Sequence, residues 1–331
     1  MKRRALITGG AGFIGFHLAS ELSQSGDCEV VLVDNFRRGR RDEELGALLQ
    51  RPGVSLVEGD LAEGGVLKHV GGSFDEVYHL AAVIGVRNVL ERPHEVVRIN
   101  ALATLRLLDW FVTGGGRKLL FTSTSEVYAW TQLFYALPVP TPESVPLALT
   151  DLSDPRSTYA GSKIFGELAV THYCKAYRKP CVIVRFHNVY GPRMGYEHVI
   201  PELHGRAKEG QNPLVVYSAD HRRAFCYVQD AVNLLIQMMR NPAADGLTFN
   251  VGNDREEVTM RELAERILRL MNLKRTITAQ PALNDPIVRR CPDMAKARSI
   301  LGYVPRVNLD EGLGKTLAWY DQHPRPNAAA R

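Results

Sequence analysis

The sequence is poor in cysteine and has no long apolar run. Its five cysteines are scattered, with no Cys-x-x-Cys pair and no cluster with histidine, so neither a disulfide framework nor a zinc site is predicted. No apolar stretch reaches the ~20 residues that a membrane-spanning helix needs. These absences exclude small disulfide-stabilised folds and indicate a reducing compartment. They predict no metal site and no membrane partner.

Strong charge of one sign is also missing. The net charge is +5, from 41 basic and 36 acidic residues, and it is spread along the chain. We therefore expect no nucleic acid as a partner, although an anionic small molecule would suit this charge. With 331 residues, the chain can form one large domain or two intimate ones. Met1-Lys-Arg-Arg leads directly into a predicted strand, so we expect no signal peptide and a cytoplasmic location.

A glycine-rich loop follows the first predicted strand, Ala5–Thr8. The loop reads Gly9-Gly-Ala-Gly-Phe-Ile-Gly15 and fits the G-x-G-x-x-G dinucleotide pattern and its G-x-x-G-x-x-G variant. Such glycines permit a tight turn and bring a pyrophosphate close to the N-terminus of the next helix. An amphipathic helix and a second strand, Glu29–Val33, follow, and in this context the pattern predicts a dinucleotide site.

An aspartate and four arginines follow the second strand. Asp34 lies about twenty residues past the loop, where an acid binds the adenosine ribose hydroxyls of NAD; alternatively, it is a strand-end turn residue. The arginines, at positions 37, 38, 40 and 41, raise the possibility of NADP. Because Asp34 would repel a 2′-phosphate, we favour NAD and interpret the arginines as a solvated loop, some of them near the adenosine.

Predicted strands and helices alternate through the first half of the chain. Further strands are Val54–Val57, Phe74–Leu80, Lys118–Phe121 and Cys181–Arg185. This order predicts an α/β fold, a doubly wound parallel (Rossmann) sheet with a smaller, interleaved mixed α/β substrate domain where the alternation weakens. We expect residues 1–186 and about 225–252 to form the NAD-binding domain, residues about 187–224 and 253–322 the substrate domain, and residues 323–331 a frayed tail.

The segment Tyr159-Ala-Gly-Ser-Lys163 opens an apolar-periodic stretch, typical of a long helix beginning after Pro155. Side chains four residues apart share one helix face. A tyrosine has a pKa of about 10, and a nearby ammonium lowers that pKa. Such a pair can therefore take a proton from a sugar hydroxyl while a cofactor takes the hydride. Taken alone, the spacing is more often a surface pair.

Hydroxyl side chains follow the strand Lys118–Phe121, in Thr122-Ser-Thr-Ser-Glu126. At a strand end beside a cofactor, these hydroxyls can hydrogen-bond a substrate oxygen. The alternative is a Ser/Thr turn without further function.

With these motifs, the chain resembles the extended short-chain dehydrogenase/reductase family of nucleotide-sugar epimerases, dehydratases and decarboxylases, from Met1 to about Tyr320. The motifs stand in the family's order: Thr8–Gly15, Asp34, Asp60-Leu61, His79-Leu-Ala-Ala82, Asn100, Tyr159…Lys163 and Asn188-Val-Tyr-Gly-Pro192. The resemblance implies NAD as cofactor, a UDP-linked nucleoside-diphosphate sugar as substrate, and a homodimer formed through the helices near Asn100–Phe111 and Tyr159–Tyr177.

The resemblance also implies the site residues. Thr124 aligns with the catalytic hydroxyl residue, Tyr159 with the base and Lys163 with its activator. The substrate-binding residues would be Ser125, Asn188, Tyr217, Arg223 and Arg290. The cofactor-binding residues would be Gly9, Gly12, Phe13, Ile14, Gly15, Asp34, Asn35, Asp60, Leu61, Leu80, Ala81, Ala82, Asn100, Thr122, Tyr159 and Lys163.

Three details favour the UDP-glucuronate decarboxylase branch of the family: Thr124-Ser-Glu126, Pro155-Arg156 and Arg222-Arg-Ala-Phe225. They imply oxidation at C4 of the sugar and then decarboxylation of UDP-glucuronate to UDP-xylose, with Glu126 and Arg223 as further catalytic residues beside the carboxylate and C5. The alternatives are a nucleotide-sugar 4-epimerase of the UDP-glucose or UDP-glucuronate type, and then a 4,6-dehydratase. A non-enzymatic NAD-binding sensor is the alternative from a different class.

Three segments depart from the family's pattern. Ala129-Trp130 stands where Gly-Asp is usual, Val83–Arg87 does not match the decarboxylase loop, and the insertion at residues 130–149 is long. Each segment can border the sugar, so the substrate stays open at this point.

Overall fold

A seven-stranded parallel sheet forms the centre of the molecule. In the computed structural model, which describes residues 2–24, 26–281 and 286–325, its strands are β1 (Arg3–Thr8), β2 (Cys28–Asp34), β3 (Val54–Glu58), β4 (Phe74–His79), β5 (Gly116–Thr124), β6 (Cys181–Phe186) and β11 (Thr248–Val251). They lie in the order β11–β6–β5–β4–β1–β2–β3, and neighbouring strands are parallel. The predicted doubly wound α/β fold is confirmed.

Helices cover both faces of this sheet. The α-helices of the described residues are α1 (Phe13–Gln24), α2 (Glu43–Leu49), α3 (Val86–Glu91), α4 (Pro93–Trp110), α5 (Ala129–Phe134), α6 (Ser157–Ala176), α7 (Val199–Lys208), α8 (Val228–Arg240), α9 (Met260–Leu270), α10 (Ala295–Leu301) and α11 (Leu309–Gln322). Leu107 of α4 and Val170 of α6 share a buried cluster with Val31, whereas Leu235 of α8 belongs to the cluster of Leu32. Because successive strand residues point to opposite faces, these two clusters mark the two sides of the sheet.

Local sequence accounts for where several helices begin. α4 has Pro93 in its first turn, where the missing N–H of proline costs no hydrogen bond. α9 begins with a capping box in which Thr259 and Glu262 bond each other's backbone N–H groups. The helix predicted to begin after Pro155 does so, at Ser157.

The strand order creates a crevice at the carboxyl ends of β1 and β4. The chain passes from β1 to β2 on one side, while β4 pairs with the other side of β1. Ligands of doubly wound sheets bind at such a reversal of strand order. The glycine loop follows β1 and Leu80-Ala-Ala82 follows β4, so both lie at this crevice.

The second half of the chain adds three small strand groups. β7 (Val189–Tyr190) pairs with β10 (Cys226–Tyr227), and β8 (Leu214–Tyr217) pairs with β13 (Ile277–Gln280). β9 (Arg222–Ala224) lies between β12 (Glu257–Thr259) and β14 (Arg289–Arg290), with Arg223 in register with Arg290. β11 returns to the main sheet beside β6. The assignment of the two functional domains stays a prediction.

The predicted frayed tail begins directly after α11. Residues 326–331 lie outside the described part of the chain. In the described part of this tail, His323 stacks on Trp319 with ring centroids 4.1 Å apart, and its carbonyl accepts a hydrogen bond from the Tyr196 hydroxyl at 3.0 Å.

Candidate active site

The glycine loop leaves no room for side chains. A Cβ on Gly15 would lie 2.2 Å from the Gly9 carbonyl oxygen, and a Cβ on Gly9, where φ is +72°, would lie 2.9 Å from Ala81 N. α1 begins at Phe13 with no acidic residue in its first turn. Its first N–H groups have no intrahelical acceptor, and the loop brings backbone close to them. The loop therefore fits the diphosphate of a dinucleotide.

Asp34 is held by backbone at the end of β2. Its carboxylate accepts hydrogen bonds from Ala11 N at 3.0 Å and Phe36 N at 2.8 Å. Burial raises the pKa of this carboxyl, while the backbone hydrogen bonds lower it. Asn35 donates to Asp60 at 2.8 Å, so these three predicted residues line one end of the crevice. Carboxylates here fit free ribose hydroxyls better than a 2′-phosphate, which favours NAD.

Asn100 fixes the wall of the crevice that follows β4. Its side chain accepts from Val83 N at 2.7 Å and donates to Val83 O at 3.0 Å and to Ser162 Oγ at 3.1 Å. It thus joins the segment after Leu80-Ala-Ala82 to α6, which carries Tyr159. Its predicted contact with the cofactor stays a prediction.

Tyr159 is half-buried on α6 and hydrogen bonded to Thr124 at the end of β5. Burial, and after it the charge of Glu126, raises the pKa of the phenol above its ordinary value. The Thr124 hydrogen bond and the charge of Arg38 act in the opposite direction. The phenol and the threonine hydroxyl could therefore contact the same substrate oxygen.

Lys163 is anchored beneath this pair. Its Nζ donates to Thr122 O at 2.7 Å and lies 4.9 Å from the centre of the Phe121 ring. Burial lowers the pKa of Lys163 to about 8, against the charge of Glu167, which raises it. Thr122 in turn donates to His79 O at 2.9 Å, so β4, β5 and α6 are joined at the base of the site.

An ion pair between Glu126 and Arg290 lies beside Thr124. The Arg290 guanidinium on β14 donates to the Glu126 carboxylate, which follows Thr124 by two residues. The neighbouring Arg289 instead binds Glu257 through two hydrogen bonds of 2.7 and 2.9 Å. Since the sequence alone left the register of these two arginines open, this assignment comes from the structure: Arg290 pairs with Glu126, and Arg289 pairs with Glu257.

Arg223 is engaged differently from Arg290. Its guanidinium donates to the carbonyls of Ile287 at 2.8 Å and Val288 at 3.1 Å, just before β14. Asn188, with φ at +36°, donates to Ala224 O at 3.2 Å, next to Arg223 on β9. Tyr217 is exposed at the end of β8, and Ser125 is buried in the turn after β5.

The sequence of the chain matches that of a known family. The sequence model described as the NAD dependent epimerase/dehydratase family matches residues 5–252. The chain belongs to this family. Two curated relatives are a UDP-N-acetyl-alpha-D-glucosaminuronate decarboxylase of Bacillus cytotoxicus, 33% identical over 97% of this chain and 98% of its own length, and UDP-glucuronic acid decarboxylase 3 of Arabidopsis thaliana, 34% identical over 94% and 86%.

Solved structures support the same assignment. An epimerase of Methanothermobacter thermautotrophicus matches with a TM-score of 0.84 and 27% identity, over 97% of this chain and 93% of its own. A Thermus thermophilus UDP-glucose 4-epimerase in complex with NAD matches with a TM-score of 0.81 and 26% identity, over 96% and 99%. The cofactor of the chain, as of the family, is NAD, in agreement with the sequence prediction.

In this member of the epimerase/dehydratase family, the insertion at residues 130–149 supports β14 through hydrogen bonds. Gln132 donates to Arg289 O at 2.8 Å, and Arg289 donates back to Val139 O at 3.1 Å. Thr141 N donates to Cys291 O at 2.8 Å, and Asp293 N to Thr141 O at 3.0 Å. The insertion therefore fixes the backbone on both sides of Arg290. The sequence shows the length of the insertion but carries no signal for this pairing.

A buried network of polar side chains supports the turn after β5, Ser125–Tyr128. None of the predictions from the sequence includes this network. The Arg185 guanidinium binds Glu167 at 2.6 and 2.9 Å and donates to the Tyr128 hydroxyl at 3.0 Å. Tyr128 donates to Asn250 Oδ1 at 2.9 Å. The network joins α6, β6 and β11 to Tyr128, two residues after Glu126. A charged residue in the apolar strand Cys181–Phe186 was the one available signal.

Two predicted absences can be examined in the described residues. No helix there is both long enough and apolar enough to cross a membrane. No group of three or more histidine, cysteine or acidic side chains there could hold a metal ion.

Proposed function

We propose that the chain decarboxylates UDP-glucuronate to UDP-xylose through a 4-keto sugar. The observation that carries the proposal is the Glu126–Arg290 ion pair beside the hydrogen-bonded Thr124 and Tyr159. A guanidinium that binds a carboxylate at this place can also bind the C6 carboxylate of a uronic acid. The names of relatives at 33–34% identity over nearly the whole chain support the same chemistry.

In this proposal Tyr159 acts as the base for oxidation at C4. Its phenolate takes the proton of the C4 hydroxyl, Thr124 holds the phenol oxygen in position by a hydrogen bond, and the charge of Lys163, four residues along α6, would favour the phenolate. The glycine loop and Asp34 would hold NAD, which would supply the reversible hydride chemistry at C4. Thr124 hydrogen-bonds the resulting C4 oxygen, and Tyr159 returns its proton at the end of the cycle, so the enzyme needs no external oxidant.

Decarboxylation follows because the 4-keto uronic acid is a β-keto acid. The C5–C6 bond breaks, carbon dioxide leaves, and the electron pair forms an enolate whose oxygen Thr124 and Tyr159 stabilise by hydrogen bonding. We propose that Arg290 orients the carboxylate before it leaves and that Glu126 serves the protonation of C5. The role predicted for Arg223 beside the carboxylate stays a prediction; its contacts position the chain that carries Arg290.

The substrate assay should show loss of carbon dioxide from UDP-glucuronate. Purified protein is incubated with UDP-glucuronate, and the sugar nucleotide is followed by mass spectrometry; we expect a UDP-pentose. UDP-N-acetylglucosaminuronate is tested in parallel because a relative that matches over nearly its whole length is named as a decarboxylase of that sugar nucleotide. UDP-glucose and dTDP-glucose are also tested, because a UDP-glucose 4-epimerase and a dTDP-glucose 4,6-dehydratase share the fold.

Other products would overturn the proposal in distinct ways. Unchanged mass with a galacturonate product would make the chain a 4-epimerase, and loss of water from a neutral hexose would make it a 4,6-dehydratase. No product from any sugar would support the sensor alternative. Retention of Thr124, Tyr159 and Lys163 in one site speaks against the sensor.

We also propose a homodimer formed through α4 and α6. These helices pack against each other, and their outer surface exposes Val97 at 42%, Phe165 at 38% and Leu168 at 57%. Pairing of two such surfaces would bury these side chains in a four-helix arrangement. We expect the substitution Leu168→Glu to yield monomers in sedimentation, whereas Leu270→Glu, at an exposed leucine of α9, should leave the dimer intact. A wild-type monomer would contradict the proposal.

A cytoplasmic location is proposed from the cysteines. All five are free and buried, as expected in a reducing compartment. Fractionation of the source cells tests this directly, since recovery outside the cytoplasmic fraction would contradict it.

A further inference from the structure

The segment after β2 lies on the glycine loop. A Cβ on Gly39 would lie 2.8 Å from both the Ala11 Cβ and the Asp34 Oδ1, and Arg40 N donates to Ala11 O at 3.2 Å. The segment therefore borders the turn on which the cofactor diphosphate rests. Arg38 immediately precedes Gly39, so its side chain leaves the backbone beside this position.

The Arg38 side chain reaches across the cofactor crevice. A Cβ on Gly85, just before α3, would lie 3.8 Å from Arg38 Nη1, and a Cβ on Gly195 would lie 3.7 Å from Arg38 Nη2. Tyr159 is near enough for its charge to act on Arg38. The Arg38 side chain thus runs from the adenosine end of the crevice towards the catalytic end. It lies between the segments at Gly85 and Gly195, which come from distant parts of the chain.

The neighbouring arginines have other partners. Arg37 pairs with Glu95 at 3.5 Å, Arg40 donates to Met194 O at 3.0 Å, and Arg41 pairs with Glu58. Within the described residues, we find no hydrogen bond or ion pair formed by the Arg38 guanidinium. Of the four arginines expected to form a solvated loop, this one has unused donors at the crevice.

We propose that Arg38 binds the diphosphate of NAD and closes the crevice over the bound cofactor. The planar guanidinium can donate paired hydrogen bonds to phosphate oxygens, while the N-terminus of α1 contacts the diphosphate from the other side. Because the Arg38 side chain lies between the segments at Gly85 and Gly195, it would hold the cofactor between both walls. The inference rests on the NAD dependence of the family and is independent of the sugar that reacts.

The test measures retention of NAD. Protein carrying NAD is diluted into cofactor-free buffer, and the NAD that remains bound is followed over time by mass spectrometry of the denatured sample. Charged hydrogen bonds contribute enough that Arg38→Ala should release NAD roughly 10- to 100-fold faster than wild type. Arg38→Lys should restore part of the retention, because it keeps the charge but not the paired geometry.

Arg37→Ala is the matched control, since Arg37 has the same charge in the same segment but is paired with Glu95. It should release NAD at nearly the wild-type rate. Binding of ADP-ribose to the apoproteins, measured by calorimetry, should weaken by a similar factor in Arg38→Ala alone. Wild-type NAD retention by Arg38→Ala, or equal losses in the Arg37 and Arg38 variants, would overturn the proposal. Thermal unfolding of the apoproteins verifies that each variant folds, and activity towards UDP-glucuronate does not enter the readout.

Discussion

Tyr159→Phe is expected to lower turnover of UDP-glucuronate by about 10²- to 10⁴-fold, the range typical of a lost general acid–base group. The substitution removes only the phenol oxygen, and with it the hydrogen bond to Thr124. kcat and kcat/KM should fall together, because the lost interaction is made with the proton in transit and not with the ground-state sugar nucleotide. Steady-state kinetics of the variant measures both constants.

A control for this prediction lies at the end of the same helix, at its C-cap. Tyr177 follows α6 and is 57% exposed, so Tyr177→Phe removes an identical oxygen away from the crevice and should leave kcat near the wild-type value. Bound NAD should be found in both variants, since the Tyr159 ring is kept. Near-normal turnover by Tyr159→Phe would remove Tyr159 as the base.

Gly15→Ala is expected to weaken NAD binding strongly and to destabilise the fold. Its Cβ would meet the Gly9 carbonyl oxygen at 2.2 Å and the Gly10 Cα at 2.9 Å, and both are backbone atoms that cannot rotate away. The glycine loop and α1 must therefore separate, which withdraws the first-turn N–H groups from the diphosphate. We expect a more than ten-fold loss of NAD affinity and a stability loss of about 1–3 kcal/mol, as for other overpacked sites.

Gly314→Ala provides the matched control. Gly314 lies in α11 with no atom within 4 Å of an added Cβ, so alanine there should stabilise the protein slightly, by up to about 1 kcal/mol. NAD content of the purified proteins and urea unfolding separate the two effects. Wild-type NAD content in Gly15→Ala would mean that the loop relaxes without losing its contact with the cofactor.

Much of the nucleotide-binding half could be predicted because its signals are local. β1, the glycine loop, α1 and Asp34 occupy one continuous stretch, and each leaves a pattern of apolar period, glycine spacing or strand-end charge. The helix bearing Tyr159 and Lys163 was predicted from its apolar repeat and Pro155. Its first residue, Ser157, agrees with that prediction.

Other parts of the site had no local pattern to read. Arg38 looked like one of four solvated arginines, and only the approach of Gly85 and Gly195 showed its place over the crevice. The length of the insertion at residues 130–149 is visible in the sequence. Its hydrogen bonds to the residues beside Arg290 are not, because they join residues that are about 150 positions apart. Sequence periodicity reports neighbours a few residues away and carries no information about such pairs.

The sequence by itself determined the parallel α/β sheet, the dinucleotide loop, the preference for NAD and the Tyr159/Lys163 helix, because each follows from backbone geometry or charge within a short segment. The tertiary structure decided which arginine meets Glu126. Arg289 and Arg290 are adjacent and chemically identical, and only the parallel register of β14 with β9 and the support of the insertion turn Arg290 towards Glu126. That choice depends on strand pairing between distant segments, which no single stretch of residues encodes.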